Sequence, residues 1–232
     1  MVKSPLIIAL DYPDLNSAVK MAHILDPSLC RVKVGKELFT RCGPMVLDQL
    51  HRLGFEIFLD LKYHDIPATT AKACLAAAEA GVWMINVHAS GGRRMMEAAM
   101  EAMHTVSGNR PFLIAVTVLT SMSESELHEV GVSANLPQQV VVLARLAQES
   151  GLDGVVCSAE EARMIRQQTN SSFKLVTPGI RPSFAGKDDQ TRIVTPVTAI
   201  ENGSDYLVIG RPVTQAKNPV AALEAILLEI NV

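Results

Sequence analysis

Eight times along this chain a short apolar run is followed by a helical pattern, and that alternation restricts the fold more than any other feature. The runs lie at 6–11, 30–35, 56–62, 84–89, 112–119, 154–158, 174–180 and 206–210. They are apolar almost throughout rather than at every second residue, which suits parallel strands covered on both faces. Helical segments lie between them. One spans 67–80, opening on Pro67 and stopping at Gly81, and another spans 137–150, opening on Pro137 and ending before Gly151. A third runs over 196–202 with Thr195 as N-cap, and the last has Asn218 as N-cap and Pro219 in first position. The stretch 120–136 reads as a loop with a short helix. Eight strand–helix units in 232 residues predict an α/β protein with a (β/α)8 TIM barrel, one catalytic domain over 1–232. A doubly wound open sheet needs fewer strands, and no GxGxxG follows the first run.

Composition agrees with a large core. Hydrophobic residues are 48% and aromatics only 4%, so that core is aliphatic. The net charge of −3 and the absence of basic blocks exclude a nucleic-acid binder. The apolar runs are too short to span a bilayer, and Leu6-Ile7-Ile8-Ala9-Leu10 is too short for a signal-peptide core, so no membrane role is expected. Cys30, Cys42, Cys74 and Cys157 show neither CxxC nor zinc spacing, which points to reduced thiols and a cytoplasmic protein.

In a barrel, chemistry sits at the C-terminal ends of the strands. Strand 1 ends in Asp11, strand 2 carries Lys33, and strand 3 ends in Asp60 and Lys62 with Asp65 just beyond. Strand alternation puts Asp60 and Lys62 on one face and Leu61 on the other. A structural ion pair could account for Asp60 and Lys62 alone. Four charges converging on one barrel end are a poor route to stability, because each must be desolvated.

A second constellation suits a phosphate. Strand 7 runs into Pro178-Gly179-Ile180-Arg181-Pro182 and strand 8 into Gly210-Arg211-Pro212, the two loops where barrels commonly bind phosphate. Glycine admits the anion to the backbone, and arginine offers a planar fork of donors. His64 points away from the Asp60/Lys62 face if the strand continues, and His88 could face the pocket; packing or hydrogen bonding suits both better than catalysis. Met95, Met96, Met100 and Met103, at helical spacing, are read as core.

These residues resemble the orotidine 5′-monophosphate decarboxylase family over essentially the whole chain. The resemblance rests on DLKYHDIPAT at 60–69, Lys33-Val34-Gly35, Leu119-Thr120-Ser121, Pro178–Pro182, Asp188-Asp189-Gln190 and Gly210-Arg211-Pro212, in that order. Ala68 departs from the Asn expected in many members, but it is not one of the charged residues. The resemblance implies decarboxylation of orotidine 5′-monophosphate to UMP without cofactor or metal. Asp11 and Lys33 would hold the ribose, with Lys33 also linked to Asp60. Lys62 would protonate C6 of the pyrimidine. Asp65 and Thr69 would reach the site of the neighbouring subunit in a homodimer. Thr120 would line the pyrimidine pocket and Ser121 would hydrogen-bond the base. Arg181, Gln190, Gly210 and Arg211 would hold the phosphate, Gln190 from a mobile loop at about 182–190.

Two rivals fit parts of the pattern. Magnesium-dependent sugar-phosphate decarboxylases and aldolases of the same barrel group share Asp-x-Lys-x-x-Asp, here Asp60, Lys62 and Asp65. Leu119-Thr120-Ser121 and the Arg181…Gln190 loop favour the nucleotide enzyme. A barrel kept as a phosphate-ligand sensor is the other rival, and an intact lysine–carboxylate array argues against it.

Overall fold

A computed structural model describes residues 4–183 and 194–231. Eight parallel strands close on themselves in sequence order: β1 Leu6–Ala9, β2 Arg31–Gly35, β3 Ile57–Tyr63, β4 Met84–His88, β5 Phe112–Val116, β6 Gly154–Val156, β7 Lys174–Thr177 and β8 Tyr206–Ile209. β1 pairs with both β2 and β8, so the barrel has no open edge and the doubly wound alternative fails.

The strands are apolar throughout because they build two cores. Leu6, Ile8, Val32, Val34, Ile57, Leu59, Ile85, Leu113, Val155 and Leu207 pack outward under the helices. Ile7, Ala9, Phe58, Met84, Ile114, Val176 and Val208 fill the interior. The closed bottom of the barrel is polar and aromatic: the Arg31 guanidinium lies 4.2 Å from the Trp83 ring centroid and its Nε is 2.8 Å from Glu56.

The helices are α1 Leu15–Ile24, α2 Lys36–Cys42, α3 Met45–Arg52, α4 Pro67–Glu79, α5 Arg93–His104, α6 Glu124–Glu129, α7 Leu136–Glu149, α8 Ala162–Arg166, α9 Pro196–Glu201, α10 Arg211–Thr214 and α11 Pro219–Glu229. Thr195 and Asn218 cap α9 and α11 as expected. The helix expected at 137–150 instead starts at Leu136, because Asn135 caps it by accepting from the Gln138 N–H and Pro137 takes the second position. Strands 1, 5, 6 and 7 stop two to three residues short of the apolar runs, at Ala9, Val116, Val156 and Thr177. β5 stops level with its neighbours, Val116 standing opposite His88 and Val156, the last residues of β4 and β6, and Pro178, which has no N–H to donate, follows the last residue of β7. Met95, Met96, Met100 and Met103 are buried on α5, and the four cysteines are free. Among the described residues no helix is long and apolar enough to cross a membrane.

Candidate active site

The inward face of the strands changes character toward their C-terminal ends. On β2, Lys33 follows Arg31; on β3, Asp60 follows Phe58; on β4, Asn86 follows Met84. These three side chains form a polar layer above an apolar interior. Beyond it opens a cavity of about 310 Å³ with Ala9, Phe58, Val116, Val156 and Val208 in its walls.

Four charges run in a line along that cavity. Lys33 Nζ lies 3.1 Å from Asp11 Oδ1 and 3.4 Å from Asp60 Oδ2, and Lys62 Nζ donates to Asp60 Oδ1 at 2.6 Å. Lys33 and Asp60 are nearly enclosed, with side chains 11% and 13% exposed, while Asp11 opens to solvent at 67%. Burial pushes the Asp60 carboxyl up, but the ammonium groups of Lys33 and Lys62, with hydrogen bonds from Lys62 and Asn86, outweigh it and hold it below the usual carboxylate range. Gly35 keeps the line open: a Cβ there would stand 3.2 Å from Lys33 Nζ and 3.4 Å from Asp11 Oδ1.

Asp60 and Lys62 do share the cavity face, but not by simple alternation. Leu59 pairs with Ile85 and Tyr63 with Val87, so three residues of β3 stand opposite Asn86 alone. Lys62 takes up this bulge with φ of 53°, a left-handed conformation that costs a non-glycine residue on the order of 1–3 kcal/mol. Its backbone N–H, displaced from the regular ladder, donates to Asn86 Oδ1 at 2.8 Å. Asn86 Nδ2 donates to Asp60 Oδ1 at 2.7 Å. Asn86 does not stand out in the sequence as a site residue, being uncharged and inside β4 rather than at its end. Its signal was the same one that marked Lys33, a polar residue interrupting an apolar strand.

The phosphate-type loops meet the array from the other side. Pro178, Gly179, Arg181, Gly210, Arg211 and Pro212 line the same cavity, and Thr120 joins them from the loop after β5. Arg181 is 6% exposed, and its backbone N–H donates to the Val194 carbonyl at 3.0 Å. Arg211 begins α10, whose last residue, Thr214, accepts at its carbonyl from the Tyr12 hydroxyl. Of the expected site residues, Asp11, Lys33, Asp60, Lys62, Thr120, Arg181, Gly210 and Arg211 therefore border one cavity.

Three others stand apart from it in this chain. Ser121 is exposed on the turn after Thr120. Asp65 and Thr69 are exposed where β3 passes into α4. Asp65 Oδ1 accepts from the Ile66 N–H at 2.7 Å, and among the described residues no ion pair joins it to Lys62 of the same chain. Gln190 and most of the loop at 182–190 lie outside the described residues. His64 is exposed and its ring lies 5.6 Å from that of His88. Burial, His64 and the nearby lysines push His88 down to about 4.

A family profile described as "Orotidine 5'-phosphate decarboxylase / HUMPS family" matches residues 4–226. A protein named orotidine 5'-phosphate decarboxylase from Marinomonas sp. (strain MWYL1) is 59% identical over 221 residues, covering 95% of this chain and 94% of its own. One of the same name from Chromohalobacter salexigens is 61% identical over 227 residues, covering 98% of this chain and 96% of its own. Among solved structures, orotidine 5'-phosphate decarboxylase from Lactobacillus acidophilus superposes with a TM-score of 0.88 at 40% identity, covering 98% of this chain and 99% of its own.

Proposed function

Given that this chain belongs to the orotidine 5'-phosphate decarboxylase / HUMPS family, we propose a division of labour among its site residues. The activity itself is decarboxylation of orotidine 5′-monophosphate to UMP in pyrimidine biosynthesis. Lys62 protonates C6 as carbon dioxide leaves. Asp60 faces the departing carboxylate and is linked to Lys33, which with Asp11 grips the ribose. Arg181, Gly210 and Arg211 hold the phosphate, with Gln190 completing that grip. Thr120 lines the base pocket, and Ser121, exposed on the turn beside it, would have to turn inward to hydrogen-bond the pyrimidine. One observation carries the reading: the Asp11–Lys33–Asp60–Lys62 line and the two arginine loops border one cavity.

The chemistry needs such a set. Loss of carbon dioxide from C6 leaves an electron pair in an sp² orbital outside the ring π system, with no ring sink to take it up. The remaining means are electrostatic stabilisation and prompt protonation, and one ammonium group supplies both. Repulsion between Asp60 and the substrate carboxylate contributes less. Two like charges about 4 Å apart at an effective dielectric of about 20 cost around 4 kcal/mol, while the largest enzymatic accelerations need more than about 20 kcal/mol. Preorganised Lys62 and phosphate binding energy carry the rest.

The proposal extends to assembly and place. The barrel is one catalytic domain that works as a homodimer, with Asp65 and Thr69 entering the neighbour's site so that Lys62 stands between two carboxylates. Their exposure supports this, as does Ile66 beside them, an apolar side chain 67% exposed at the rim. The enzyme acts in the cytoplasm, where its four free thiols stay reduced. Neither a cofactor nor a metal takes part. The test is to mix the protein with orotidine 5′-monophosphate, with and without EDTA, and follow the pyrimidine ultraviolet band. Equal conversion to UMP is expected in both; loss of conversion on chelation would point to the magnesium-dependent branch of the barrel group.

A further inference from the structure

We propose that Asn86 is a positioning residue for the reaction: its side-chain amide holds the Lys62 backbone in its left-handed conformation and fixes the Asp60 carboxylate, and so aims the Lys62 ammonium into the cavity. The inference rests on the reading of Lys62 as proton donor.

Lys62 is one of two non-glycine residues with positive φ among the described residues; the other, Asn231, lies beyond the last helix. A lysine has no intrinsic preference for that conformation, so something outside it must hold it there. The bulge removes the regular ladder partner of its N–H. Asn86 is the single β4 residue opposite the bulge, is fully buried, and supplies the replacement acceptor at 2.8 Å. The other end of the same amide donates to Asp60 Oδ1 at 2.7 Å, the oxygen that also receives Lys62 Nζ at 2.6 Å. One rigid planar group thus ties the lysine's main chain to the carboxylate that receives its side chain. The amide's orientation follows from its partners. Turned over, it would set its NH2 against the Lys62 N–H and its oxygen against a carboxylate.

A fully buried amide in the strand interior could also serve stability alone. The two roles part in the Asp variant. In Asn86→Asp, a protonated side chain keeps the arrangement, with its carbonyl accepting from Lys62 N–H and its hydroxyl donating to Asp60. Ionised, it sets a second carboxylate against Asp60 and loses the donor. The charged and titratable groups around the position are Asp60 and Lys62 on β3, Lys33 on β2 beyond Asp60, and His88 on its own strand with the His64 ring tilted against it. β5 faces it with Ile114.

The experiment compares kcat, KM and UMP affinity of wild type, Asn86→Ala, Asn86→Asp and Lys62→Ala across pH 5 to 8. For Asn86→Ala we expect kcat to fall about 10- to 100-fold, as for a displacement of the reacting group by about 1 Å. UMP affinity should stay within about threefold, because the phosphate and ribose contacts remain. The Asn86→Asp deficit relative to wild type should shrink as pH falls, whereas that of Asn86→Ala should not. A kcat within about twofold of wild type for Asn86→Ala overturns the proposal. So does an Asn86→Asp deficit that is independent of pH, and this decides the matter if the Ala variant does not fold. Turnover by Lys62→Ala would instead remove the reading beneath it, so the two failures are distinguishable.

Discussion

His88 and Asp60 sit a strand apart, and their surroundings move both downward in pKa with opposite consequences for charge. Asp60 is held as the anion, so its contribution to stability is full above about pH 4 and fades only below that, as pH falls through its lowered value. His88 is held neutral, down to about 4, by burial, by His64 and by nearby lysines. Between about pH 6.5 and 4 the unfolded chain binds a proton at this residue that the folded chain refuses, so stability falls as the medium acidifies through that window. Burial lowers His51 as well, which adds to the same slope. Denaturant unfolding at pH 7 and pH 5 should show the loss, and His88→Gln should reduce it by on the order of 1 kcal/mol, a figure discounted for the ring's partial exposure. An unchanged slope in that variant would remove His88 as its source. Lys33, Asp60 and Lys62 were legible in the sequence because charge is costly inside an apolar strand. The bulge at Lys62 was not: a left-handed turn usually shows as glycine, and here a lysine is held in it by Asn86, a neutral residue one strand away.

Elements were legible where local chemistry marks them. Thr195, Asn218 and Gly81 gave helix ends correctly because capping and the positive φ at Gly81 are decided by the residues themselves. The apolar runs extend past the strand ends at Ala9, Val116 and Thr177; at Val116 the neighbours β4 and β6 end level with it, a property of the pairing that an apolar run does not display. The β6–β7 seam shows the same dependence in packing. Gly154 on β6 lies so close to β7 that a Cβ would stand 2.2 Å from the Lys174 carbonyl oxygen and 2.9 Å from its carbonyl carbon. Those are backbone atoms and cannot rotate away. Gly154→Ala should therefore lower unfolding free energy by about 1–3 kcal/mol as the two strands separate. A change under about 0.5 kcal/mol by urea titration would mean that the seam adjusts freely.

At the scale of the molecule, eight short strands that could have formed an open sheet close into a barrel, and the sequence carried that in their number and order. It could not carry subunit contacts, which depend on surfaces far apart in the chain. A shared site makes a prediction that a self-contained one does not. Lys62→Ala and Asp65→Asn should each be severely impaired alone. Mixed and allowed to exchange subunits, they form heterodimers in which one site has both Lys62 and the partner's carboxylate intact. With equal amounts and random pairing, activity should return to about a quarter of wild type per site. No recovery on mixing, with subunit exchange demonstrated, would place Asp65 outside the neighbour's site.

Lys62 as proton donor is the centre of the account, and one comparison tests it most directly. Lys62→Ala is assayed with orotidine 5′-monophosphate by loss of the pyrimidine ultraviolet band, alongside circular dichroism and sedimentation to establish a folded dimer. The account predicts no detectable UMP formation from a folded dimer. Decarboxylation at a rate near that of wild type would contradict it.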